Sequence, residues 1–172
     1  MAAPSITFFI ASLPALGHTV RMEIRPAQVG DVETIHALIS DSAEYDLMLF
    51  RSLADVFENL QTFLVASEGN HVIGCCALEV IWRDLAEVKS LVVHADYRGK
   101  GVGRRLVEAA LRMAVSLGVP KVFTLTLEPR FFERLRFQVA EKDVFPMKVW
   151  RDCARCPKQD HCDEIAMIIN VT

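Results

Sequence analysis

Residues 86–118 read AEVKSLVVHADYRGKGVGRRLVEAALRMAVSLG, and three patterns succeed one another along that stretch. Leu85 to Val93 is a mostly apolar run of strand length, with Leu91, Val92 and Val93 fully apolar at its end. Arg98-Gly99-Lys100-Gly101-Val102-Gly103 follows, a glycine-rich turn. Beyond it Leu106, Ala110, Met113 and Leu117 recur at helical spacing, which predicts an amphipathic helix with these four residues inward and Gly118 as its stop. Alternating glycines clear side chains away so that successive backbone N–H groups can converge on one anion, and the helix that starts there adds its dipole and its unused amides. A cation stands on each side of Gly99. The strand–turn–helix placement therefore predicts a pyrophosphate site. The turn is not GxxxxGK[ST], and no GxGxxG follows the first strand of a βαβ unit, which sets aside two common nucleotide-binding folds.

Working outward, Met22 to Arg25 reads as a short strand ended by Pro26, and Asp31 as the cap of a helix whose Val32, Ile35, Leu38 and Ile39 share one face. Ser52 with Asp55 resembles a capping box, ahead of Leu53, Val56, Phe57 and Leu60 at helical spacing. Phe63–Ser67 and Val72–Ile81 form a hairpin about Glu68-Gly69-Asn70. Trp82-Arg83-Asp84 turns the chain into the Leu85–Val93 strand. After the long helix come a buried strand, Val122–Leu127, a short helix from Pro129 to Leu135, and a closing strand pair ending in Ile165–Val171. The expected fold class is α/β: a central mixed sheet flanked by helices.

The chain has 172 residues, enough for one domain with a proper core. A formal charge of −3 gives no footprint for nucleic acid, so the local cluster RGKGVGRR at 98–105 points to a small anionic ligand. Residues 1–21 are apolar and interrupted by proline, without the basic start of a signal peptide and too broken to span a membrane. They read as an extension to a domain covering 22–172, expected to be cytoplasmic and to bind neither membrane nor nucleic acid; a homodimer is left open. Of the five cysteines, Cys75 and Cys76 stand in an apolar run and read as small core residues.

Arg98-x-x-Gly101-x-Gly103 resembles the (Q/R)-x-x-G-x-(G/A) motif of the GNAT N-acetyltransferase family. The resemblance implies a GNAT-type sheet with splayed central strands and acetyl-CoA as co-substrate. It gives the pyrophosphate to Arg98, Gly99, Lys100, Gly101, Val102 and Gly103, and the pantetheine to the backbone of Leu91, Val92 and Val93. Glu87 lies four residues before Leu91, between Ala86 and Val88. A carboxylate in an apolar strand is rare, and partial burial suits it to accepting protons near neutrality. An ammonium cannot attack a thioester, and an α-amine with a pKa near 8 is only about a tenth neutral at pH 7, so the reaction needs a base. Several members of the family place one, working through water, at the position of Glu87.

Two departures stand out. Where many members carry a tyrosine acid in a Y-x-x-x-G-F pattern, this chain has Phe132-Glu133-Arg134-Leu135-Arg136-Phe137. Phenylalanine donates no proton, and Arg136 replaces the glycine of the turn.

LFRS at 49–52, ALEVIWRDLAEVKSLVV, VFTLTLEPRFFERLRF and PMKVWRDCARCP with CDEIAM resemble the short stand-alone N-acetylglutamate synthases of bacterial arginine biosynthesis. That narrower likeness implies glutamate as acceptor, with Arg51 on a substrate carboxylate, a task suited to the planar guanidinium fork. Lys89 and Lys148 are further candidate substrate cations, with Arg151 and Arg155 behind them. Other amino acids, amines or a protein lysine remain alternative acceptors, and an acetyl-CoA-binding sensor is a third reading. Cys153-x2-Cys156-x5-Cys162 beside His161 has partial zinc-site spacing. A packed loop with reduced thiols is the expectation, and the chemistry is expected to need no metal.

Overall fold

The computed structural model describes residues 22–145, 153–154, 156 and 161–171. Lys148, Arg151, Arg155 and the 1–21 extension lie outside them. Seven strands form one sheet in the order β1-β2-β3-β4-β5-β7-β6. They are β1 Glu23–Pro26, β2 Phe63–Glu68, β3 His71–Trp82, β4 Leu85–Val93, β5 Lys121–Thr126, β6 Gln138–Val139 and β7 Ile165–Asn170. The helices are α1 Val32–Glu44, α2 Leu53–Glu58, α3 Val102–Ser116 and α4 Pro129–Glu133. All neighbouring strands are antiparallel except β4 and β5. A parallel pair cannot be joined by a tight turn. Here α3 makes the crossover.

Strand alternation splits the core in two. Leu64, Ala66, Cys76, Leu78, Ala86 and Val88 face α3, whose Leu106, Val107, Ala110 and Ala114 are buried. Phe63, Val65, Cys75 and Ala77 face the other way, onto Val32, Ile35, Leu38 and Ile39 of α1. The two adjacent cysteines thus serve opposite faces, both buried and free. Burial among apolar neighbours pushes both thiols up, Cys76 to about 12.

Local chemistry differs from the expected pattern at three points. Asp31 does not cap α1 with its side chain. Its carboxylate turns back to accept from the Gln28 N–H at 2.7 Å and from both Arg25 terminal nitrogens at 2.7 and 2.9 Å, tying β1 to the start of α1. Ser52 accepts from the Asp55 N–H, but the reciprocal half of the capping box is missing because the Asp55 carboxylate is taken by Arg51 and Asn59. With α2 only six residues long, Val56 is its one buried residue, and Leu53 and Phe57 stay exposed. Leu117 is exposed too. The helix ends at Ser116, Gly118 turns the chain at φ +74°, and Val119 enters the core instead.

Candidate active site

Between the pairs Ala77↔Lys89 and Cys75↔Val92, β3 advances two residues and β4 three. This β-bulge carries Ser90 at φ +52°. The extra residue resets the alternation. Ala86 and Val88 pack on the α3 side; beyond the bulge that side takes Leu91 and Val93, while Val92 joins the α1 core. Glu87 and Lys89 therefore share the α1 side of β4.

Pairing of β4 with β5 is confined to Ala86↔Val122 and Glu87↔Phe123. From Val88 onward the two strands have no further register partners, and β4 bends away as a bulged strand does. The parted strands border a cavity of about 780 Å³. Lining it are Leu91, Val92 and Val93 on one wall, Thr124 to Glu128 on the other, Phe131, Phe132 and Arg134 from the α4 end, and Arg51 from the α1–α2 connection.

The glycine-rich turn lies at one end of this opening. Gly99 and Gly101 adopt φ +74° and +81°, a region costly for any residue with a Cβ. The first α3 bond runs from the Arg105 N–H to the Gly101 carbonyl at 3.1 Å, so the amides of Val102, Gly103 and Arg104 precede the helical ladder. Arg98 donates through Nε to the Val93 carbonyl at 3.1 Å, pinning the turn to the end of β4. Of the six turn residues Arg98 and Gly103 line the cavity; Gly99, Lys100, Gly101 and Val102 do not, and the Val102 side chain is buried in the core. The Lys100 ammonium stands 5.2 Å from the Tyr97 ring centroid.

At the other end stands a charged trio. Glu79 lies directly across the β3–β4 ladder from Glu87. The Lys89 ammonium is 2.7 Å from Glu79 Oε2 and 3.6 Å from Glu87 Oε2, and the side chains of Glu79, Glu87 and Lys89 are 24%, 12% and 13% exposed. All three line the cavity. Glu79 was missed in the sequence although its signal equals that of Glu87, a carboxylate inside the apolar run Ala77–Ile81. Cys153 and Glu164, from the segment before β7, also line the cavity. Burial first, then the charges of Glu164, Cys162 and Glu87, hold the Cys153 thiol above its ordinary value.

Arg51 donates from Nη1 to Asp55 Oδ2 at 2.7 Å, one helical turn ahead. Asp55 is itself held by the Asn59 amide, so the guanidinium is fixed by one edge. Phe132 is buried in T-shaped contact with Phe131 and Phe137, at centroid separations of 5.0 and 5.2 Å. Arg136 keeps the turn expected of a glycine, at φ +69°. Cys153, Cys156 and Cys162 are in no disulfide, and the Lys142 ammonium donates to the Cys162 sulfur at 3.1 Å. Among the described residues no group of three or more His, Cys, Asp or Glu side chains converges as a metal site.

A mixed sheet whose parallel pair parts beside a helix-starting glycine turn defines the N-acetyltransferase class of fold. The chain belongs to the acetyltransferase (GNAT) family, whose sequence profile matches residues 31–137. An uncharacterized N-acetyltransferase of Chlorobaculum tepidum is 43% identical over 145 residues, 84% of this chain and 94% of that protein. The amino-acid acetyltransferase of Mycobacterium tuberculosis is 33% identical over 138 residues, 78% of this chain and 79% of that protein. Among solved structures, N-acetylglutamate synthase of Neisseria gonorrhoeae, complexed with coenzyme A and N-acetylglutamate, superposes with a TM-score of 0.81 at 25% identity. That match covers 88% of this chain and 35% of the longer synthase chain. No helix among the described residues is long and apolar enough to cross a membrane.

Proposed function

We propose that this protein transfers the acetyl group of acetyl-CoA to the α-amine of an acidic amino acid, glutamate first, as a cytoplasmic enzyme of arginine biosynthesis. One observation carries the reading. Glu87 is the last β4 residue paired with β5, so the largely buried carboxylate sits where the strands part, in the same cavity that Arg51 lines. The relatives named as amino-acid acetyltransferases and the synthase complex with N-acetylglutamate support the choice of acceptor.

The residues fit the co-substrate. The positive-φ glycines and the leading amides of α3 make an anion cradle, and the backbone of Leu91–Val93, past the last register pair with β5, offers partners along an extended ligand. Acetyl-CoA supplies the acetyl thioester. Glu87 takes the proton of the acceptor ammonium, directly or through a water, which frees the nitrogen lone pair for the carbonyl carbon. As the new amide bond forms and the carbon–sulfur bond breaks, the nitrogen gives up its second proton to solvent and the departing thiolate takes one from solvent, because Phe132 offers none. Arg51, held along one edge by Asp55, has guanidinium N–H groups left for a substrate carboxylate, and Lys89 and Lys148 are the further cations proposed for the same task.

A thiol-release assay with acetyl-CoA against each of the twenty amino acids and a lysine peptide tests this. Glutamate should give the highest kcat/KM. Preference for a carboxylate-free amine would overturn the acceptor and leave the acetyltransferase class standing.

A further inference from the structure

The glycine turn is steadied from a strand two places away in the sheet. Tyr97 closes the short 3₁₀ turn Ala95–Tyr97, directly before Arg98. Its N–H donates to the His94 carbonyl at 2.9 Å, and the His94 N–H donates to the Ile73 carbonyl of β3 at 2.9 Å. The side chain reaches further. Its phenol O–H donates to Glu68 Oε2 at 3.1 Å, at the end of β2 and across β3 from β4. The bond to Glu68 first, then the charge of that carboxylate, holds the phenol above its ordinary value, so the hydroxyl keeps its proton and remains the donor.

The Tyr97 ring packs against the core cluster that contains Val102 and Leu106. It meets the His94 ring at a centroid separation of 6.0 Å, and the Lys100 ammonium stands over it at 5.2 Å. Among the described residues neither Glu68 nor Lys100 has another side-chain hydrogen bond or ion pair. A lysine on its flexible stem loses much freedom when a ligand orders it, and an aromatic face that already attracts the ammonium removes part of that cost. Because Lys100 lies in the turn and does not line the cavity, its reach is to the phosphate end of the co-substrate.

We propose that Tyr97 is a positioning residue for the phosphates of acetyl-CoA, and that Glu68 fixes it in place. The contacts run from Glu68 through the phenol and ring of Tyr97 to Lys100, so the cation beside the glycines is placed before the ligand arrives. Preorganisation of this kind lowers the ordering cost of binding and leaves the chemical step alone. This deepens the reading above and rests on its co-substrate, not on its acceptor.

Calorimetric titration of the intact protein with coenzyme A tests this, beside kinetics with acetyl-CoA and with acetyl-pantetheine, which lacks the phosphates. Tyr97→Leu should raise the coenzyme A Kd and the acetyl-CoA KM about tenfold, with kcat and the acceptor KM nearly unchanged. Its kcat/KM for acetyl-pantetheine should not move. Tyr97→Phe and Glu68→Ala should each weaken coenzyme A about two- to fivefold, and the double variant no more than either alone, because both break one bond. Glu68→Gln keeps an acceptor for the phenol and should recover most of the affinity. In a Lys100→Met background, Tyr97→Leu should add little.

A merely structural Tyr97 would weaken acetyl-CoA and acetyl-pantetheine alike. That outcome overturns the proposal, as do additive effects of Tyr97→Phe and Glu68→Ala, or an unchanged coenzyme A Kd in both. If Tyr97→Leu folds poorly, Tyr97→Phe and Glu68→Ala still decide. The titration needs no acceptor, so failure of the glutamate assignment would show in the thiol-release screen and leave this test standing.

Discussion

Truncating Arg51 separates an amino-acid acetyltransferase from one that acts on plain amines. The side chain is 15% exposed and its partner Asp55 41% exposed, so the ion pair is partly solvated and is worth at most about 1 kcal/mol of stability. Arg51→Ala should therefore cost a domain of this size only about 2–4 °C in Tm. Kinetics should respond far more. Losing one charged partner of a substrate carboxylate in a largely desolvated site costs about 2–5 kcal/mol, and each 1.4 kcal/mol is about a decade. Because Arg51 keeps some solvent contact, the lower part of that range applies, a fall of about one and a half to two and a half decades in kcat/KM for glutamate. The rise should be in the glutamate KM, with the acetyl-CoA KM almost unchanged. Arg51→Lys should recover only part, since one ammonium cannot serve Asp55 and grip a carboxylate with two parallel bonds. Asp55→Asn keeps a hydrogen-bond acceptor beside Arg51, so it should raise the glutamate KM only about two- to tenfold by loosening the fork. Steady-state thiol release with glutamate, glutamine and aspartate measures all of this. Unchanged glutamate kinetics in Arg51→Ala, with the fold intact by circular dichroism, would refute the role of Arg51.

Stability should also follow specific contacts. The bidentate Arg25 guanidinium, helped by the Gln28 amide, holds Asp31 below its usual 3.8. Its contribution is therefore fully present above that value and lost as pH falls through the lowered one, so Asp31→Asn should melt earlier at neutral pH and converge with the parent in strong acid. Arg136→Gly removes a side chain from a φ of +69° and should raise stability by up to about 1 kcal/mol, read by denaturant melts at constant m-value. Gly101→Ala meets no atom within 4 Å yet should lose about 1–2 kcal/mol and acetyl-CoA affinity, because its φ of +81° is costly for alanine. A Cβ on Gly103 would meet Phe131 at 3.5 Å, an ordinary contact at ordinary φ, so Gly103→Ala should fold at least as stably as the parent in the same melts.

Much of the fold was legible because its signals are periodic. Val32, Ile35, Leu38 and Ile39 declared the α1 face, and Leu85–Val93 matched β4 residue for residue. What failed was periodicity extended past its physical reach. Leu53, Phe57 and Leu117 have the right spacing, but α2 is too short to bury more than one position and α3 stops before its last apolar residue. Glu87, Arg51, Arg98 and Gly103 line one cavity. Arg51 stands out in the sequence only through the resemblance of LFRS, whereas Glu87 and the glycine turn stand out as residue types out of keeping with their surroundings. Glu79 could have been read the same way. Its pairing with Glu87 could not, since cross-strand register depends on bulges that sequence does not announce. The bidentate use of Asp31 was hidden for a similar reason. A carboxylate before a helix reads as a cap until the position of Arg25 is known.

The β4 bulge bears on how such a protein can change over generations. The extra residue at Ser90 returns Leu91 and Val93 to the face that Ala86 and Val88 use, the face they would hold in a strand without it, so substitutions elsewhere in β4 are judged by their own surroundings. Removing that residue is a different event. Deletion of Ser90 would preserve the alternation of Ala86, Val88, Leu91 and Val93 toward α3 and of Glu87, Lys89 and Val92 toward α1. It would also erase the bend. The core would tolerate the loss better than the cavity would, so the opening is most exposed to single-codon insertions and deletions, a kind of variation that a scan of point mutants never samples.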